Sequence, residues 1–93
     1  FISQRLYESP LTLVVHPSNP IADKKTVSIK DLKDIPLVLP AKGFHTRHFL
    51  NEELAKNNVQ PNIKMELNDI NTLLQLVETG NFCTIMTVAA LLS

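Results

Sequence analysis

Ninety-three residues carrying nine Lys+Arg against nine Asp+Glu leave room for one small core and no second domain. A content of 44% hydrophobic and 19% charged residues is that of a globular chain and excludes a disordered tail. A formal charge of zero argues against nucleic-acid binding by this chain itself, because that work needs a basic face.

In chain order, Leu11–Val15 is a β-branched and leucine-rich strand, followed by a Pro-rich loop over His16–Asp23. Ser28 can cap a short helix, with Asp31 three residues on and Val27 and Leu32 at the staple positions. Pro36 stops that helix. Leu37–Leu39 is apolar at every position, as in a strand covered on both faces. Pro40 to His45 is a loop. From Thr46 to about Asn58 the period is helical: Phe49, Leu50 and Leu54 share one side, and Glu52 and Lys56 form an i,i+4 pair on the other. Asn57-Asn58 makes a left-handed stop. Ile63, Met65 and Leu67 alternate with polar residues as a third strand. Asp69 or Asn68 caps the next helix, whose stripe is Ile70, Leu73, Leu74 and Val77, with Gly80 at its C-terminus. Phe82–Met86 is a fourth strand, and Thr87 opens a last helix.

This alternation predicts an α/β sandwich with a mostly parallel sheet. Ligands of such sheets collect beyond the carboxyl ends of the strands, where strand order reverses. Two loops qualify, Pro40–Arg47 and the one beginning at Met86-Thr87. In the first, Gly43 permits a tight turn, Phe44 is an aromatic in a loop, and Thr46 and Arg47 stand at a helix N-terminus, which attracts anions. The competing reading has Phe44 plugging the core, Thr46 acting only as a cap and Arg47 solvated.

Other candidates are weaker. His45, His48 and Glu52 could share a helix face in a metal-like spacing, but no further clustered His and no second Cys supports a site. Cys83 is the single cysteine, so no internal disulfide forms; among Phe82, Ile85 and Met86 it reads as a buried, inert thiol. Lys24, Lys25 and Lys30, interrupted by Asp23 and Asp31, read as a solvated face. No phosphate-binding glycine motif and no nucleophile elbow is present. The apolar runs, Val88–Leu92 among them, are too short to span a membrane. Phe1 is not followed by a signal segment, the expectation for a piece of a longer cytoplasmic protein.

The order of several motifs resembles that of LysR-type transcriptional regulators. Leu11-Thr12-Leu13-Val14-Val15 followed by Asn19-Pro20-Ile21-Ala22 is similar to their L-x-L-V-V…H-P-L-A run, with Asn19 in place of histidine. Val27–Leu32 resembles V-x-L-x-D-L, and Pro36–Pro40 resembles P-L-I-L-P. Gly43–Arg47 resembles G-x-x-x-R, and Leu76–Gly80 with Thr84-Ile85-Met86 resembles L-V-x-x-G-x-G-I-x-x-L-P. Two positions depart from the last pattern. Phe82 stands where it has glycine, and Thr87 lies close to where its strand-end proline would fall.

The resemblance implies that residues 1–93 are the second lobe of an effector-binding domain. The fold would be a three-layer, Rossmann-like α/β lobe of a type 2 periplasmic-binding-protein-like fold, with a mostly parallel sheet and one antiparallel strand. That strand would be Leu11–Val15, and the strand order would run 63–67, 37–39, 82–86, 11–15. It implies binding of a small anionic effector between this lobe and a first lobe outside the sequence, through Gly43, Phe44, Thr46, Arg47 and Thr87. Operator DNA would be contacted only through an N-terminal domain, and the full-length protein would be a homodimer or homotetramer. No cofactor, metal or catalytic residue is expected. The rival of another class is a lobe of an extracytoplasmic solute-binding transport receptor, and a third reading is an enzyme using Cys83 or His45 and His48.

Overall fold

The sheet is built around Leu11–Val15, a five-residue strand with every side chain buried. A computed structural model describes residues 1–41 and 45–87. Its strands are β1 (Ile2–Arg5), β2 (Leu11–Val15), β3 (Leu37–Pro40), β4 (Ile63–Leu67) and β5 (Thr84–Thr87). Its helices are α1 (His45–Lys56) and α2 (Ile70–Glu78), with 3-10 helices over Pro20–Asp23 and Ile29–Lys33.

β2 pairs antiparallel with both β1 and β5, and β3 pairs parallel with β4. The two groups join where Leu37 bridges Cys83 in parallel, with the Val38 N–H donating to the Cys83 carbonyl at 2.9 Å. The order is therefore β4-β3-β5-β2-β1, and β2 alone runs against the other four. This is the expected order and direction with one strand added. β1 lies at the edge and has no counterpart in the sequence reading. Its Ile2 is exposed, so it shows no buried face to betray it; backbone pairing to β2 holds it.

Alternation along the strands divides the core into two layers. Leu11, Leu13, Val15, Leu37, Leu39 and Ile85 meet Leu32 of the 3-10 helix and Leu50 and Leu54 of α1. On the opposite face Val14 and Val38 meet Leu73 and Val77 of α2. Burying each such leucine fully contributes about 1.5–3 kcal/mol.

The caps follow the sequence. Asp31 accepts from the Ser28 backbone N–H at 2.8 Å, starting the 3-10 helix. Asp69 accepts from the Asn71 N–H at the start of α2. Asn58 (φ 55) and Gly80 (φ 85) close α1 and α2 in the left-handed region.

Three local expectations change. The fourth strand begins at Thr84, with Phe82 outside it. Glu52 pairs with His48 at 2.8 Å instead of with Lys56. Most consequentially, Ile63, Met65 and Leu67 do not share one face. The β3–β4 register shifts between Leu37 and Val38, and a one-residue slip moves side chains to the other face. Ile63 packs on the α1 side and Leu67 on the α2 side, while Met65 is exposed.

Candidate functional site at the carboxyl edge of the sheet

Parallel strands deliver their carboxyl ends to one edge, and here three do so together. The Ala41 N–H donates to the Leu67 carbonyl at 2.9 Å, tying the end of β3 to the end of β4. Thr87 closes β5 opposite Leu11, where antiparallel β2 begins. Thr46, half-buried, is the second residue of α1, and Thr87, also half-buried, lies on the same edge. Gly43 and Phe44 lie outside the described residues, as does the helix expected beyond Thr87.

Two helices start at this edge, and they differ. α2 carries its own carboxylate: Asp69 accepts from the Thr72 hydroxyl at 2.7 Å and from the Asn71 N–H at 3.2 Å. The Thr72 hydrogen bond and then the Asn71 N–H hold its pKa below the ordinary carboxylate value. Neither first turn contains an acidic residue, but the sequence before α1, Ala41 to Phe44, offers no carboxylate in the place of Asp69. The dipole at the start of α1 thus faces the edge without a carboxylate of its own turn.

Arg47 is neither a solvated charge nor a side chain reaching out from the rim. It is 4% exposed and bonded to three parts of the lobe. Its Nη1 donates to the Pro40 carbonyl at 3.2 Å, its Nε to Asn51 Oδ1 at 3.1 Å, and its Nη2 to Glu66 Oε1 at 3.3 Å. Asn51 stands one helical turn from Arg47 and was open to sequence reasoning as an i,i+4 partner. Glu66 was not: the register slip in β4 sets it opposite Leu39, on the α1 face.

The remaining candidates build no site: His45, exposed, heads α1 at this edge, and its proposed partners turn elsewhere. His48 and Glu52 pair with each other in open solvent, and among the described residues no group of three or more His, Cys, Asp and Glu could hold a metal. Cys83 is buried, its thiol pushed up to about 11 by desolvation, and it receives only a 3.7 Å contact from Asn19 Nδ2. A thiol so disfavoured as thiolate is a poor nucleophile. Two surface concavities are lined by other residues. One, of about 480 Å³, lies among Tyr7, Ser28, Lys30, Glu53 and Lys56; the other, of about 410 Å³, lies among Lys33, Asn57, Asn58 and Gln60. Among the described residues no helix is long and apolar enough to cross a membrane.

Residues 1–92 match the sequence model of the family described as LysR substrate binding domain. The HTH-type transcriptional activator CmpR of Synechocystis is 26% identical over 90% of this chain and 28% of its own length. The uncharacterized HTH-type transcriptional regulator YwbI of Bacillus subtilis is 30% identical over 86% of this chain and 27% of its own. The chain thus spans little more than a quarter of these relatives. In fold it is similar to the effector binding domain of QuiR solved in complex with shikimate, with a TM-score of 0.73, 21% identity, and 92% of this chain and 41% of that one covered. Full-length CbnR in complex with its target DNA gives a TM-score of 0.71 at 22% identity, over 90% of this chain and 30% of that one.

Proposed function

The chain belongs to the LysR substrate-binding domain family, and from that membership we propose that it is one lobe of a two-lobed effector sensor in a transcriptional regulator. A small anionic metabolite would sit beyond the carboxyl edge of the sheet, between this lobe and a second one. The observation that carries the reading is the contrast between the two helix starts at that edge: α2 is capped by Asp69, while the sequence from Ala41 through the first turn of α1 holds no carboxylate. Thr46 and Thr87 would donate hydroxyl hydrogen bonds from the two sides of the rim. Gly43 and Phe44 enter on the family resemblance alone, as the turn and apolar wall of the loop between β3 and α1. Arg47 would contribute through the local field and by holding α1 in place, given the partners it already has.

Ligand binding that favours one arrangement of the lobes shifts the equilibrium by its differential affinity. The readout would lie in an N-terminal DNA-binding domain of the parent protein, in the cytoplasm, within a homodimer or homotetramer. No chemical step is needed from this lobe.

The test is a thermal-shift screen of small carboxylates against the full-length parent, followed by titration of Thr46→Val and Thr87→Val. Loss of one hydrogen bond to a charged ligand costs about 1.5–3 kcal/mol, so each variant should bind at least about tenfold more weakly. Unchanged affinity in both variants would remove this edge as the effector site.

A further inference from the structure

We propose that Glu66 is a positioning residue for this edge: it latches Arg47, and through Arg47 it holds the first turn of α1, with Thr46, against the ends of β3 and β4. The inference rests on the reading of the edge as the effector site, but its test needs no ligand.

Arg47 follows Thr46 directly and is almost wholly enclosed. A buried guanidinium must have its donors met and its charge answered. The Pro40 carbonyl and Asn51 supply neutral acceptors. Of the carboxylates, Glu66 alone forms an ion pair with Arg47 among the described residues, at 3.3 Å. Its side chain is 39% exposed against 5% for Arg47, so water reaches the pair mainly from the Glu66 side.

The geometry has a sequence cause. Without the register slip after Ile63, Glu66 would share a face with Lys64, away from α1. The slip turns Glu66 to the face that carries Leu39 and Arg47. The irregularity in β4 therefore sets the counter-charge beneath the helix start, and the apolar alternation of the strand is given up for it.

Amide hydrogen exchange on the full-length parent tests the latch. The N–H groups of Phe49, Leu50 and Asn51 are bonded to the carbonyls of His45, Thr46 and Arg47, so their exchange reports opening of the first turn. Glu66→Gln keeps an acceptor in place but removes the charge. It should speed exchange of those three amides by about fivefold and leave Leu73–Val77 of α2 unchanged. In an Arg47→Met background the same Glu66→Gln change should add nothing, because Glu66 acts through Arg47. Unchanged exchange at the first turn, equal acceleration across both helices, or a full Glu66→Gln effect without Arg47 would each overturn the latch. If Arg47→Met does not fold, the contrast between α1 and α2 in Glu66→Gln decides alone. A working latch beside an edge that binds no carboxylate would instead count against the effector reading.

Discussion

The Oγ of Ser18 lies 2.5 Å from the point a Cβ on Gly80 would occupy, so the turn after α2 is closed by the loop after β2. Gly80 also has φ 85, where any L side chain is strained. Gly80→Ala should destabilise the lobe by at least ~1–2 kcal/mol for the backbone alone, with the contact adding to it. Urea unfolding should show that Gly80→Ala/Ser18→Ala recovers part of the loss, since the remaining Ser18 Cβ stands at 3.8 Å. Full additivity would contradict the close approach.

Thr12 and Thr84 lie on adjacent strands, and their hydroxyls are buried without a hydrogen-bond partner among the described residues. Burying an unpaired hydroxyl costs about 1–3 kcal/mol, and replacing it by an apolar group of the same shape recovers much of that. Thr12→Val and Thr84→Val should each be neutral or stabilising in thermal unfolding. A clear loss in either would show that the hydroxyl is satisfied in solution.

The pKa of Asp31 is lowered first by the Ser28 backbone N–H and next, against burial, by the charge of Lys24. A lowered folded-state value means the carboxylate stabilises the fold above the ordinary pKa of 3.8. That stability is lost as pH falls through the folded value. Asp31→Asn should therefore lower the unfolding midpoint at pH 7, and the gap to the parent sequence should narrow as pH falls below 3.8. A gap that stays constant as pH falls would contradict the assignment.

How legible the fold was depended on where the information lay. β2, α2 and their caps could be read because Leu11–Val15, the Leu73/Val77 stripe, Asp69 and Gly80 are local signals. β1 could not, because Ile2 turns outward and the strand owes its place to pairing. The partners of Arg47 are hidden for the same kind of reason. Its anion-attracting position at a helix start was visible, but Glu66 lies 19 residues away and reaches it only through a register slip that alternation does not show. Of the residues expected at the site, Thr46 and Thr87 stand on the same edge, while Arg47 is buried and bonded to Pro40 and Glu66.

Cys83 should resist modification. A buried thiol with its pKa raised to about 11 presents almost no thiolate at pH 8. Labelling by a disulfide reagent should proceed at the rate of unfolding and accelerate in urea. Prompt labelling of the native protein would revive a chemical role for this residue.

The proposed effector site is the carboxyl edge of the sheet, at the start of α1 and the end of β5. Chemical-shift mapping of the full-length parent with its best-binding carboxylate decides it. The largest amide shifts should fall at Ala41, Thr46, Arg47 and Thr87. Shifts centred instead on Tyr7, Lys30 and Lys56, around the concavity between the 3-10 helix and the end of α1, would contradict it.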